Sequence, residues 1–266
     1  MNGTEPASPT AECLRCDQDG VATLTLNRPA ARNALSVGLM TALHAQLDSI
    51  KTDDSIRVVV IAANGPAFCA GHDLKELRAN PGRQANEALL ALCSELMLSI
   101  TKLPKPVIAR VHATATAAGC QLVATCDLAV ASTDAMFATP GVNIGLFCST
   151  PMVAVSRNVP RKQTMEMLLT GEPIDAQTAK QYGLVNRVVD AADLDAAVDK
   201  LAQTIVSKSP LTLAIGKEAY YRQLEMGVSE AYTYASEVMV KNLMARDAKE
   251  GIDAFIEKRP PQWEGY

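Results

Sequence analysis

At 266 residues, 48% of them hydrophobic, the chain suffices for one large domain, or a domain with an appendage, around a sizeable core. A formal net charge of −4, with no run of more than two Lys or Arg, excludes an extended nucleic-acid surface and leaves only a local basic site for an anionic ligand. No apolar stretch is long enough for a membrane span.

Residues 1–12 carry neither a basic n-region nor an apolar h-region, so they are predicted to be a disordered tail, and a cytoplasmic location is expected. Cys13-Leu-Arg-Cys16 forms a CxxC without a second pair or a nearby histidine pair; an edge strand is the better reading, and no metal site is predicted. The alternating Val21–Leu26 and the compact apolar runs Ile56–Ala62, Pro106–Val111, Asp127–Ala131 and Gly183–Val189 read as strands. Between them, Ser36 is a plausible N-cap for a helix over Val37–Ile50, and Arg83–Leu103 spaces its leucines at helical intervals up to Pro104-Lys-Pro106. This alternation predicts an α/β core over 13–192. From Asp193 the strand signals stop, and four helical segments, Leu194–Ser207, Leu211–Met226, Ser229–Ala245 and Ala248–Lys258, predict a helical region over 193–266.

Two segments suggest chemistry. Ala67-Phe-Cys-Ala-Gly-His-Asp-Leu-Lys-Glu-Leu77 follows the run Arg57–Ala62, and Ala115-Thr-Ala-Ala-Gly-Cys-Gln-Leu-Val-Ala124 comes about fifty residues later. A strand that ends in a small-residue turn and enters a helix leaves unpaired N–H groups aimed at one point, and a carbonyl oxygen becoming negative suits such donors.

The pair resembles the enoyl-CoA hydratase/isomerase (crotonase) family, a resemblance that runs from about Gly20 to Trp263. It implies a ββα spiral core with a C-terminal helical oligomerisation layer, an acyl-CoA thioester as substrate, coenzyme A present only as part of that substrate, and a homotrimer or dimer of trimers. The first oxyanion donor falls on the N–H of His72 and the second on the N–H of Ala118. Gln121 stands where the family has its first catalytic glutamate, and Gly141, in Phe137-Ala-Thr-Pro-Gly141, where it has the second. The stretch Leu146-Phe-Cys-Ser-Thr-Pro151 replaces the glycine-rich segment that normally follows.

Asn27-Arg-Pro-Ala-Ala-Arg-Asn-Ala-Leu35 is similar to the family's turn at the nucleotide end of CoA, which makes Arg28 and Arg32 candidates for phosphate contacts; by themselves these residues equally shape a turn and a helix start. By the same resemblance Ala70, Asp73, Leu74, Lys75 and Lys258 join the CoA-binding set, although Lys258 also fits a solvated helix end. The histidine side chain is separate from its backbone donor, and an identical Gly-His-Asp turn is found in the family's methylmalonyl-CoA decarboxylases. Cys148-Ser149 has no neighbouring histidine to activate a nucleophile, which favours a packing or hydrogen-bonding role.

A glutamine and a glycine offer no group for general acid or base work at neutral pH, so hydration by a two-glutamate route is not expected. Three functions stay open. One is a divergent hydratase or isomerase using another side chain, with Glu76, Glu87 and Glu95 in the segments that usually line this pocket. The second is decarboxylation of a malonyl-type thioester, which creates the enolate without a base. The third is a protein that holds acyl-CoA without turnover.

Overall fold

A computed structural model describes residues 11–265. The tail expected over 1–12 lies outside them except for Ala11 and Glu12, which are tied down: their carbonyls accept the Asn27 side-chain amide at 3.0 Å and the Asn27 backbone N–H at 2.7 Å.

The fold is α/β, with a sheet of mostly parallel strands, crossover helices and a C-terminal run of helices. β1 (Cys13–Gln18), β2 (Val21–Leu26), β3 (Val58–Ala63) and β4 (Val107–Val111) form the first four strands of a six-stranded sheet, followed by β6 (Leu128–Ser132) and β9 (Arg187–Val189). Only β1 and β2 run antiparallel, joined by the tight turn at Asp19-Gly20; every other neighbour is parallel and needs a crossover. A small second sheet contains β5 (Ala115–Thr116), β7 (Met136–Ala138) and β8 (Ile174–Asp175). These two- and three-residue strands are too short for periodicity to show, and the sequence reading does not include them.

The crossovers are α1 (Val37–Lys51), α2 (Leu74–Ala79), α3 (Arg83–Lys102), α4 (Ala118–Thr125), α5 (Pro151–Val155), α6 (Arg161–Thr170) and α7 (Ala176–Gln181). β3 is buried along its whole length because both faces of the sheet are covered. Val59, Ile61, Val107 and Ala109 face the main core with Leu39, Leu43, Leu96 and Ile100 from α1 and α3. Val58, Val60, Ile108 and Val130 face the other way, against Leu194, Val198 and Leu201 of α8 (Leu194–Val206).

Local chemistry sets the boundaries. Ser36 caps α1, its hydroxyl accepting the Leu39 N–H at 3.1 Å, and Asp175 caps α7 through the Thr178 N–H at 2.7 Å. Gly171, at φ 66°, ends α6. The strand expected over Gly183–Val189 begins only at Arg187, because Gly183 turns at φ 84° and the Leu184 N–H closes α7 on the Ala179 carbonyl at 2.9 Å. Cys13 and Cys16 lie on edge strand β1, three residues apart and hence on opposite faces, one buried and one exposed.

α9 (Pro210–Gln223), α10 (Val228–Leu243) and α11 (Arg246–Glu257) complete the chain. α9 is stapled to the core by Lys217, whose ammonium donates to the Ile100 and Lys105 carbonyls and to Asp127 Oδ2 at 2.6 Å, while the Tyr221 hydroxyl donates to Asp127 Oδ1 at 2.8 Å. The end of the chain is latched by Asp247, 1% exposed. Its carboxylate accepts from Ser209 Oγ at 2.5 Å and from the N–H groups of Glu264 and Gly265 at 2.7 and 3.1 Å. Burial pushes the Asp247 pKa up, but Ser209, the two N–H groups and the nearby Arg57 charge outweigh it and hold the carboxyl below its ordinary value.

A carboxyl whose folded pKa is depressed stabilises the fold above its unfolded pKa and loses that contribution as pH falls through the folded value. Asp247→Asn is therefore expected to cost about 1.5–3 kcal/mol at neutral pH, the range for hydrogen bonds to a charged group. In urea unfolding the gap from the parent protein should narrow below about pH 4; a gap that does not change with pH would count against an ionic latch.

Candidate active site

The two small-residue turns meet. After β3 the chain bends through Asn64-Gly65-Pro66, and Cys69 then pairs with Ala115, its N–H reaching the Thr114 carbonyl at 3.2 Å and its carbonyl taking the Thr116 N–H at 2.9 Å. Three residues on, Leu35 bridges His72 in parallel fashion: the Leu35 N–H donates to the Gly71 carbonyl at 2.7 Å and its carbonyl accepts the Asp73 N–H at 3.1 Å. In that pattern the N–H of His72 points away from Leu35, and it finds no acceptor among the described residues.

On the facing segment, β5 is followed by Ala117, whose N–H is held by the Ala138 carbonyl at 2.9 Å and whose backbone takes φ 50°, ψ −118°. That conformation strains a residue with a Cβ, by about 1–3 kcal/mol. It delivers the chain into α4, so the N–H of Ala118, first in the helix, has no intrahelical acceptor and no other among the described residues.

The seam between the turns has no room for side chains. A Cβ on Gly119 would stand 2.1 Å from the Cys69 carbonyl oxygen, and one on Gly71 would stand 2.9 Å from the Ala117 Cβ and 3.4 Å from the Ala118 nitrogen. The sequence-predicted pair of donors, His72 and Ala118, thus sits on two touching turns.

The His72 ring is close enough to the Leu35 carbonyl and to Glu76 for both to act on it. Both ring nitrogens are buried, and neither meets the geometry of a hydrogen bond to the described residues. The Leu35 carbonyl is already engaged by Asp73. Burial lowers the His72 pKa, opposed in part by Leu35 and the Glu76 charge, so the imidazole is neutral at neutral pH.

The other sequence-predicted residues divide into groups. Arg28 is engaged in structure: its guanidinium binds the Ala34 carbonyl at 2.6 Å, Asp73 Oδ2 at 3.0 Å and Glu12 Oε1 at 3.0 Å. Asp73 caps α2 through the N–H groups of Lys75 and Glu76 at 3.0 and 3.3 Å. Although its burial raises the pKa, Arg28 and these N–H groups lower it more. Both residues therefore hold the turn. Ala70, Leu74, Lys75 and Arg32 are exposed around it, with the Ala70 N–H bonded to the Arg32 carbonyl at 3.1 Å. Lys258 caps the far end of α11, which packs on α9 and α10; within one chain it is not brought to these turns.

Gln121 is 5% exposed, its Oε1 without a partner. Gly141 is buried in a 3-10 turn over 140–144 and covered by the loop beyond, the Leu146 N–H reaching its carbonyl at 2.9 Å. Burial raises the Cys148 pKa, and the Gly141 N–H offsets it in part. Of the three glutamates weighed as substitutes, Glu87 pairs with Arg83 at 2.7 Å and Glu95 lies in an outer groove with His44 and Lys102. Glu76 alone approaches His72; its Oε2 accepts the Val37 N–H at 3.0 Å beside a cleft of about 100 Å³ lined by Leu77, Asn80 and Leu89. No sequence signal marks Thr139, 0% exposed with an unpartnered hydroxyl, or the strained Ala117.

Residues 17–266 match the enoyl-CoA hydratase/isomerase family. The chain belongs to that family. It is similar to enoyl-CoA hydratase domain-containing protein 3, mitochondrial, of Rattus norvegicus, 47% identical across 97% of this chain and 87% of the relative. The 2,3-dehydroadipyl-CoA hydratase of Escherichia coli is 34% identical across 96% and 99%. Among solved structures, an enoyl-CoA hydratase of Mycobacterium smegmatis superposes with a TM-score of 0.93 at 54% identity, covering 95% of this chain and 98% of that one. These names correct the cytoplasmic expectation: relatives from rat, mouse and human at 46–48% identity, and one from Dictyostelium discoideum at 34%, are named mitochondrial.

The loop over Gly141 makes a direct prediction, because a Cβ there would stand 2.5 Å from the Leu146 carbonyl oxygen and 2.9 Å from Cys148 Sγ. Gly141→Glu is expected to cost about 1–3 kcal/mol, the range for overpacking, seen as a lower unfolding temperature. An unchanged unfolding temperature would mean that the loop yields freely.

Proposed function

We propose that the protein is an acyl-CoA enzyme that binds the thioester carbonyl between the N–H groups of His72 and Ala118 and stabilises an enolate formed without a protein carboxylate. The observation that carries this reading is the pair of acceptor-free N–H groups on touching turns, beside a Gln121 and a Gly141 that cannot titrate. Family membership supports the thioester as substrate. No separate cofactor enters: coenzyme A arrives with the acyl group, and the exposed Arg32 and Lys75 are the cations proposed for its phosphates.

Decarboxylation of a malonyl-type thioester is the chemistry that needs least from such a site. The bond from C2 to the carboxylate breaks, carbon dioxide leaves, and the electron pair moves into the enolate whose oxygen the two N–H groups hold. The neutral His72 imidazole beside the thioester has a free donor and a free acceptor to orient the departing carboxylate. We further propose a homotrimer or a dimer of trimers. α9 and α10 contain no buried residue, and Tyr232, Met244 and Phe255 are 74, 82 and 85% exposed, an apolar extent that suits an interface.

Two measurements test the reading. Crotonyl-CoA hydration is expected to fall at least about 10²-fold below that of a two-glutamate homologue, since each acid/base group ordinarily contributes about 10²–10⁴; turnover near ~10 s⁻¹ would require another acid/base pair. A mass-spectrometric panel of enoyl-, malonyl- and branched acyl-CoAs in deuterated water is expected to show decarboxylation, with His72→Ala binding thioester yet releasing carbon dioxide more slowly. If malonyl- and methylmalonyl-CoA are inert while 2-enoyl-CoAs are hydrated, the divergent hydratase replaces this reading; binding without any turnover would leave a carrier of acyl-CoA.

A further inference from the structure

The space that a side chain at position 141 would enter already holds a thiol. Cys148 Sγ lies 2.9 Å from the place of a Cβ on Gly141, close enough for the Gly141 backbone to lower the thiol's pKa against the rise from burial, and the residue is 7% exposed. Two polar side chains on the adjoining backbone lack partners among the described residues. Thr139, two residues before Gly141, is 0% exposed with Oγ1 unpaired, and Gln121 is 5% exposed with Oε1 unpaired.

The backbone draws these groups together. Thr139 follows Ala138, whose carbonyl takes the Ala117 N–H at 2.9 Å, and the Ala117 carbonyl takes the Gln121 N–H at 3.0 Å. Cys120, the neighbour of Gln121, is close enough to Cys148 to feel its charge. α4 and α5, which follow these turns, pack on each other. Buried polar atoms without partners cost about 1–3 kcal/mol each, and a fold keeps them where water, a ligand or a reacting group completes their bonds.

Resting on the enolate reading above, we infer that Cys148 is a catalytic residue, the proton donor that quenches the enolate at C2, standing where a carboxylic acid on residue 141 would otherwise reach. The S–H bond breaks and a C–H bond forms with the enolate's electron pair; the carbonyl re-forms as charge leaves the oxygen. The thiolate left behind accepts the Gly141 N–H and regains a proton from solvent. Burial keeps the thiol protonated, the state a donor needs, and makes it a poor nucleophile. A donor fixed on one wall serves one face of the enolate, so the product has one handedness.

The test is decarboxylation of methylmalonyl-CoA in deuterated water, with the configuration of the 2-deuterated propionyl-CoA determined. The parent protein is expected to give one enantiomer. Cys148→Ala is expected to lose that preference and give racemic product at whatever rate of carbon dioxide release remains. Cys148→Ser, close in size and with a far weaker acid, is the second variant, with the same expectation; thioester binding confirms that each variant is folded. Racemic product from the parent protein, or undiminished handedness in a folded variant, overturns the role of the thiol alone. Absence of carbon dioxide release from the parent protein overturns the enolate reading and the proton donor with it.

Discussion

The structure depends on the contact between two backbone segments at Cys69 and Gly119, where any Cβ on Gly119 would come within 2.1 Å of the Cys69 carbonyl oxygen. Removing side chains from this seam lets the exit of β3 and the start of α4 lie against each other, and the β5 pairing through Thr116 fixes their register. The parallel sheet behind them is buried on both faces and holds the two strand ends at one level. With Leu35 engaging Gly71 and Asp73, the intervening His72 N–H is left without an acceptor among the described residues, as is the first N–H of α4. Ala117 carries the strain of this arrangement in a conformation that glycine would adopt at less cost.

The same packing explains what the site lacks. A carboxylate at position 141 would have to displace the Leu146 carbonyl and the Cys148 sulfur, so the course of the loop as well as the residue type opposes one there. Around the seam, charge is used for scaffold: Arg28 and Asp73 lock the 28–35 turn to the start of α2. His72, Gln121 and Thr139 keep buried polar atoms without partners among the described residues, and burial lowers the His72 pKa and raises that of Cys148, so these side chains stay uncharged at neutral pH.

Much of the fold was legible in the sequence because it rests on local chemistry. Ser36 marks the start of α1 by its capping side chain, and the apolar runs of β3 and β4 need no context to read as buried strands. The helical character of the last 70 or so residues was equally plain from spacing. What could not be read was long-range. The small second sheet consists of segments too short to show a period, and Gly183–Val185 reads as strand although its N–H groups close α7 on the Lys180 and Ala179 carbonyls. At the site, the sequence gives the residues of both donor turns, but the engagement of Arg28 by Ala34, Asp73 and Glu12, and the seating of Cys148 against Gly141, arise only when distant segments pack.

The account stands on the two N–H groups acting together on one oxygen, and the most direct measurement is a structure of the protein with an acyl-CoA thioester bound. The thioester oxygen is expected within hydrogen-bonding distance, about 2.7–3.2 Å, of both the His72 and the Ala118 nitrogens. A well-ordered thioester with its carbonyl more than about 4 Å from both, beyond hydrogen-bond range, would contradict it.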